Sequence, residues 1–386
     1  MKISSERILT THVGSLPRPS ALLELLLARE EGKPVDEAAF ETRAAAAVND
    51  IVAQQMAAGI DVVSDGEMSK PSYTIYVRHR VNGIAMSQEA EELGRKIMVG
   101  RDQLEHPDFM ERMTHFRQIP FPGCVGPISY GDTKPLARDL AHLAAAVAKN
   151  KPVEAFITAP SPGILTRFVI DVYYKNEEKY LAALAEAMRT EYKAIVEAGF
   201  LLQIDCPDLG SARHNQYRDL SDAEFLRIAA RNIEALNHAT AGLAPDRMRL
   251  HICWGNYEGP HTHDIELAKV IGVCLKGRPS AFSFEGANPR HEHEWEDLAA
   301  IRIPDDKILI PGVIDSTTNF VEHPRLVAQR ICRYAEIVGR ERVIAGADCG
   351  FATFAGRAPM VATSIVWSKF KALAEGARLA SQRLWA

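Results

Sequence analysis

Positive charge is in short supply. The chain carries 45 Lys+Arg against 50 Asp+Glu, a net charge of −5. No basic cluster is interleaved with aromatics, which excludes the electrostatic footprint of a nucleic-acid binder. Long apolar runs are missing too, so no stretch is expected to span a membrane. Residues 1–7 lack the apolar core of a signal peptide, and a secretory leader is not expected. Cysteine is sparse: six thiols are scattered at 124, 206, 253, 274, 332 and 349. In 386 residues that is no disulfide framework. Free thiols fit a reducing cytoplasm, where they serve metal binding or burial. A glycine-rich phosphate cradle is lacking as well. The first strand runs into His12-Val13-Gly14-Ser15, which does not match a dinucleotide fingerprint.

What is present is an ordinary globular composition, 47% hydrophobic and 25% charged. The length allows two domains or one large barrel. Apolar strand candidates start at Ile8-Leu9-Thr10-Thr11 and recur at 60–64, 154–158, 200–204, 248–252, 281–284, 308–310 and 343–348. Helical spacing falls at 20–31, 36–58, 176–198, 221–241, 264–275, 291–300, 323–338 and 358–380. Asp36 is placed to cap the second helix and Gly59 to close it. Three times the order is helix, glycine, apolar strand, then a polar residue at the strand's C-terminal end. The strands are apolar nearly throughout, the mark of parallel strands covered on both faces. About eight of them, alternating with helices, predict an α/β fold closed as a single (β/α)8 TIM barrel over 1–386. Residues 70–130 interrupt the alternation. The expectation there is a long insertion with a charged helical stretch at 87–117. A Gly/Pro loop, Ile119-Pro120-Phe121-Pro122-Gly123-Cys124-Val125-Gly126-Pro127, follows it. Such a loop serves either as a lid or substrate wall, or packs on the outside.

Strand ends carry the chemistry. His251 and Cys253 are two apart and point the same way on an extended segment. Alone, a His-x-Cys pair is more often a buried thiol beside a hydrogen-bonded imidazole. Here Glu285 and Cys349 close two further strands, and a barrel brings strand ends to one mouth. His251, Cys253, Glu285 and Cys349 would satisfy tetrahedral zinc. The carboxylate is the weakest donor, so an incoming thiol can displace Glu285. Zinc lowers a thiol's pKa, and a sulfur-rich anionic site keeps the thiolate electron-rich. That implies alkyl transfer to a thiol rather than hydrolysis. Ser15, Glu67, Asp205 and Asp315 also fall at strand ends. Glu67 and Asp205 either hold a substrate ammonium or orient loops. His261, His263, His291 and His293 read as solvated faces or loop hydrogen bonds. Cys274 and Cys332 read as core, and Cys206 either lines the site or is buried.

These motifs resemble the cobalamin-independent methionine synthase family, in particular its zinc-bearing catalytic barrel, over nearly the whole chain. The matching stretches are His12-Val13-Gly14-Ser15, Ser64-Asp65-Gly66-Glu67, Gln203-Ile204-Asp205-Cys206-Pro207, His251-Ile252-Cys253, Glu285, Pro311-Gly312-Val313-Ile314-Asp315 and Asp348-Cys349-Gly350. The resemblance implies Zn2+ on the same four ligands. It implies homocysteine contacts at Val13, Gly14, Ser15, Glu67 and Asp205, with the carboxylates receiving the ammonium. The partners implied are a small-molecule thiol and an alkyl donor, methylfolate being one. Two-domain members carry an additional N-terminal barrel that nothing here matches, so a stand-alone core is expected. Folate features are weakened: Gly123-Cys124 stands where the family has Arg-Cys, Arg167 where it has a stacking Trp, and Thr317 where it has a His. The chain is also similar to epoxyalkane:coenzyme M transferases, which add a thiol to an epoxide. The two carboxylates favour an amino-acid thiol, since coenzyme M has no ammonium. A non-catalytic zinc- or methionine-binding protein is the alternative of another class, and a thiol-dependent activity assay separates it.

Overall fold

The computed structural model describes residues 1–112, 121–356 and 359–386. Its strands are β1 (Leu9–Thr10), β2 (Val62–Ser64), β3 (Val81–Met86), β4 (Pro122–Tyr130), β5 (Glu154–Pro160), β6 (Ile170–Asp171), β7 (Leu201–Asp205), β8 (Met248–His251), β9 (Ala281–Phe284), β10 (Ile308–Ile314) and β11 (Ile344–Ala347). Eight of them form one sheet in the order β1-β11-β10-β9-β8-β7-β5-β2. Every pairing in it is parallel. The ends meet: Asp61 N donates to Thr10 O at 3.1 Å, and the Thr11 hydroxyl donates to Val62 O at 2.9 Å. The sheet is thus a nearly closed (β/α)8 barrel, as the apolar strands led one to expect. Strands β7 and β8 are buried at every position, because helices cover their outer face and side chains fill the inside.

The helices follow the sequence signals. The carboxylate of Asp36 accepts from Ala39 N at the start of Glu37–Ala57. Gly59, Gly199 and Gly339 follow three of the helices at φ 88°, 90° and 86°, a conformation that favours glycine. The helix Lys134–Asn150 has no counterpart in the sequence reading. The helix expected at 358–380 spans Thr363–Leu384, and its expected start at 358 lies outside the described residues.

The region 70–130 holds more order than its composition suggests. The expected helical stretch is broken into Gln88–Ile97, Arg101–Glu105 and Pro107–Arg112, with 113–117 outside the described residues. From Pro122 onward the expected Gly/Pro loop is instead β4, paired antiparallel with β3 and parallel with β6. Its prolines are tolerated because Pro122 opens the strand and Pro127 faces an irregularity in the ladder. At that point Gly83 has φ 85°, and a Cβ there would lie 2.5 Å from Pro127 O. No helix among the described residues is long and apolar enough to cross a membrane.

Arg249 lies inside the barrel, 1% exposed, and reaches across it. Its Nε donates to Gln203 Oε1 on β7 at 2.7 Å and its Nη1 to the Thr11 hydroxyl at 2.9 Å, while Nη2 donates to His12 O. The guanidinium stacks 3.6 Å from the Phe156 ring.

The loops after β8 and β9 are tied by a second buried network. His261 Nδ1 lies 2.7 Å from Asp264 Oδ2, and its Nε2 lies 3.0 Å from Tyr257 O. His291 sits between Asp264 Oδ2 at 3.0 Å and Glu294 Oε2 at 2.9 Å. Every one of these ring nitrogens faces an acceptor oxygen, so both rings donate twice and are cationic. At 3% and 2% exposure the two rings are not solvated, which corrects half of the sequence reading. His293 is exposed, and His263 is partly exposed in a pair with Glu105.

Two outcomes are expected. Arg249→Met leaves three buried acceptors unpaired and should cost on the order of 2–4 kcal/mol by denaturant unfolding. A loss below about 1 kcal/mol would contradict the bracing role. The second concerns pH. Burial alone lowers the pKa of His261 and His291, but their carboxylate partners outweigh it and raise them to about 9 and about 10. A folded pKa above the ordinary value near 6.5 stabilises fully below that pH and is lost as pH rises through the folded value. The denaturation midpoint should therefore fall between about pH 7 and pH 10, and His291→Gln should flatten that fall. An unchanged slope in the variant would show that other groups cause it.

Candidate active site

Val13, Ser15, Glu67, Asp205, His251, Cys253 and Cys349 line one cavity at the C-terminal mouth of the barrel. Gly14, Glu285 and Asp315 are not among the residues that line it. Gly14 has φ 144°, and a Cβ on it would lie 2.6 Å from Thr158 Cγ2 and 3.2 Å from Glu67 Oε1. Glycine therefore lets the loop after β1 press against the Glu67 carboxylate. Glu67 itself holds φ 57°, a left-handed conformation unusual for its type.

The ligand atoms of His251, Cys253 and Cys349 lie within 4.8 Å of one another. On β8, Arg249 and His251 alternate toward the interior, and Cys253 continues the stripe just past the strand end. His251 Nδ1 is 3.2 Å from Ser283 Oγ. That leaves Nε2 buried with no partner among the described residues, an arrangement that favours a ligand. Cys253 is driven well below the usual thiol pKa by a hydrogen bond from the Cys349 thiol and by His251. Cys349 is driven well above it by the same bond. The two sulfurs thus share a proton that a metal ion would displace.

Glu285 stands apart from this three-residue group. Its Oε1 accepts from Trp254 N at 2.9 Å and its Oε2 from the Asn288 amide at 3.1 Å. Burial raises its pKa to about 8, against the pull of the cationic His291. Asp348, next to Cys349, accepts from the backbone N–H groups of Gly286, Ala287 and Asn288 at 2.8, 2.9 and 2.7 Å. It fixes the loop that carries Glu285. Asp315 accepts from the backbone and hydroxyls of Thr317 and Thr318, so it shapes its own turn.

Two carboxylates face the cavity from neighbouring walls. Glu67 Oε1 accepts from the Thr158 hydroxyl at 2.9 Å, while its Oε2 is buried without a hydrogen bond, 4.0 Å from Arg18 Nη2. Asp205 Oδ1 accepts from the Gln203 amide at 2.7 Å. Burial raises both pKa values; Glu67 adds to the rise at Asp205, while Lys70 and Arg18 oppose it at Glu67. Such a pair is satisfied by a cation placed between its members.

Cys206 is 1% exposed and does not line the cavity; its N–H donates to His251 O at 2.7 Å. Cys274 is buried, as expected, and Cys332 is only half-buried. The insertion supplies cavity wall through Tyr73, Met98 and Gln103. His214, Arg167 and Phe168 also line the cavity; the resemblance pointed to Arg167 alone of the three. His214 lies 3% exposed with its Nδ1 unpaired, and burial lowers its pKa to about 4, so it is neutral. It follows a short turn, Ser211–Arg213, with no periodic signal to mark it.

Comparison with known proteins agrees with this geometry. The family described as "Cobalamin-independent synthase, Catalytic domain" matches residues 8–96 and 123–365. A methionine synthase of Saccharolobus solfataricus is 25% identical over 382 residues, covering 97% of this chain and 95% of that protein. One from Sulfolobus acidocaldarius is 25% identical over 344 residues, covering 88% and 85%. Among solved structures, a B12-independent methionine synthase from Shewanella sp. W3-18-1, in complex with selenomethionine, superposes with a TM-score of 0.74 at 21% identity. It covers 98% of this chain and 99% of that one. A putative vitamin-B12 independent methionine synthase from Listeria monocytogenes gives 0.62 at 17% identity, covering 98% and 99%. The structural likenesses speak for the barrel; the family match spans most of the sequence. The chain belongs to the cobalamin-independent synthase family, through its catalytic domain.

Proposed function

We propose that this chain is a zinc-dependent methyltransferase, with 1–386 acting as one catalytic barrel, that methylates the thiol of homocysteine to give methionine. One observation carries the reading. An imidazole nitrogen without a partner, two thiols and two buried carboxylates serve the same cavity. The donor set of one nitrogen and two sulfurs suits zinc, with Glu285 as the fourth and most weakly held ligand. Bound by His251, Cys253, Cys349 and Glu285, zinc would supply the Lewis acidity that makes a thiol a thiolate at neutral pH.

The remaining work falls to the chain's own residues. Glu67 and Asp205 receive the ammonium, whose charge favours the ionised form of each buried acid. Ser15 offers an N–H and a hydroxyl, neither with a partner among the described residues, to the amino-acid carboxylate. Gly14 and Val13 hold that loop in place. The sulfur–methyl bond forms as the donor's bond to methyl breaks; the thiol proton has left on binding, and the donor's leaving group takes up a proton. Membership of the family, together with relatives named methionine synthase, supports the same substrate. A mercaptosulfonate in place of homocysteine would bring no ammonium to the two carboxylates. A cytoplasmic setting suits the free thiols.

Two measurements test this. Zinc content after reduction and reloading should fall sharply in Cys253→Ser and in Cys349→Ser; unchanged stoichiometry in both refutes the ligand set. Glu67→Gln and Asp205→Asn should keep zinc yet weaken homocysteine binding by roughly tenfold to hundredfold, the worth of a charged hydrogen bond of about 1.5–3 kcal/mol. The amine-free analogue 4-mercaptobutyrate should bind wild type and both variants alike. Binding of that analogue to wild type as tightly as homocysteine would remove the ammonium role and move thiol addition to an epoxide ahead.

A further inference from the structure

Arg167 is a buried cation with no carboxylate ion-pair partner among the described residues. It is carried by the helix Pro162–Phe168, is 4% exposed, and lines the cavity. Its Nη1 donates to the Ser211 hydroxyl at 2.5 Å. Nε is buried with no partner, and no carboxylate lies within ion-pair distance among the described residues. Other buried arginines hold a carboxylate or more hydrogen bonds, although Arg80 Nη1 is also without a partner. Arg80 makes a two-pronged pair with Glu191 at 2.8 and 2.7 Å. Arg249 lacks a carboxylate too, but its donors are taken by Gln203, Thr11 and His12. Asp208, the acid nearest in charge to Arg167, already accepts from the Ser161 hydroxyl at 2.7 Å and the Asn232 amide at 2.9 Å. A guanidinium fork held out of water and without a carboxylate is suited to an oxyanion arriving with a ligand.

The surroundings say which ligand. Phe168, Met98 and Phe354 give this side of the cavity an apolar wall, and the unpaired His214 Nδ1 adds a polar atom. The amino-acid end is served separately, by Glu67, Asp205 and Ser15 on the strand ends. We propose that Arg167 anchors a carboxylate, sulfonate or phosphate carried by the methyl donor, which makes the donor an anion with an apolar body. This rests on the methyltransferase reading above and names the class of its second substrate.

The test uses direct binding to the zinc-loaded chain, so it does not depend on turnover. Benzoate, benzenesulfonate and neutral benzamide are titrated with and without saturating homocysteine, into wild type, Arg167→Gln and Arg167→Lys. Both anions should bind wild type in the presence of homocysteine, and at least about tenfold more weakly in Arg167→Gln. Arg167→Lys should recover part of the loss, while benzamide binds all three proteins equally. Homocysteine affinity and zinc content should stay the same in Arg167→Gln. Equal anion binding by wild type and Arg167→Gln overturns the proposal. So does competition between benzoate and homocysteine with weaker homocysteine binding by the variant, which would give Arg167 to the amino-acid carboxylate. Loss of zinc from the variant also overturns it, by assigning the charge to the thiolates of Cys253 and Cys349. If Arg167→Gln does not fold, wild type alone decides: benzoate binding no tighter than benzamide ends the proposal. Failure of the methyltransferase reading is seen separately, as absence of homocysteine binding in wild type.

Discussion

A guanidinium held inside the barrel fixes the position of much of the mouth above it. Arg249 on β8 reaches β1, which is not its neighbour in the sheet, and bonds both Thr11 and His12 O there. It also holds Gln203, whose amide in turn donates to Val13 O and to Asp205 Oδ1. One chain of hydrogen bonds therefore runs from the interior to two walls of the cavity. His12 adds to the same brace: Gly14 N donates to its Nδ1 at 3.2 Å, and its Nε2 lies 2.7 Å from Gln55 Oε1. Gln55 also receives Ser64 N at 2.9 Å, which fixes the end of β2 just before Glu67. Burial lowers the pKa of Arg249 to about 9, still high enough to keep it charged at neutral pH.

That charge matters because the cavity is otherwise acidic. Glu67, Asp205, Cys253 and Cys349 all face it, and Arg167 is the basic side chain of the lining among the described residues. Burying several negative charges together is unfavourable, and the raised pKa values of Glu67, Asp205 and Cys349 are the expression of that cost. A dication on the sulfurs and an ammonium between the acids, as in the proposed function, would relieve it at two separate points. The cationic His261 and His291 stand behind Glu285 and lower its pKa, so its carboxylate form is favoured even where burial opposes it. The site is arranged around charges that its ligands bring.

Much of this was legible because barrel strands are short, apolar and end in function. The runs at 200–204, 248–252 and 281–284 marked β7, β8 and β9 nearly to the residue, and the polar residue after each marked the mouth. What escaped notice has physical reasons. Arg249 hid within an apolar run, since a buried guanidinium braced by neutral oxygens has no acidic partner nearby in sequence. It is two residues from His251, and that same-face spacing was the available signal. β4 was read as loop because Pro and Gly outweighed Val and Ile, whereas a strand beside an irregular ladder accommodates both. For His261 and His291 the sequence leaves solvated faces and loop hydrogen bonds both open, because their partners, Asp264 and Glu294, make cations of them only once the loops fold together. Glu285, the fourth metal ligand of the sequence reading, accepts from Trp254 N and the Asn288 amide and lies outside the three-residue group whose ligand atoms are within 4.8 Å of one another.

The two ends of the cavity come from different parts of the chain, and this decides how independently each can change. Ser15, Glu67, Asp205, His251, Cys253 and Cys349 sit at or just past strand ends, where the parallel ladder fixes the backbone. Moving any of them means moving a strand that its neighbours hold on both sides. Tyr73, Met98, Arg167, His214 and Phe354 come instead from the insertion and the loops after β5, β7 and β11. Their substitution alters shape and charge without disturbing the ladder. The barrel therefore fixes the residues at the strand ends, and the other segments set the rest of the cavity's shape and charge. Arg167 is a feature of that second kind: the helix after β5 carries a buried cation into the cavity wall, where it can meet a partner of opposite charge.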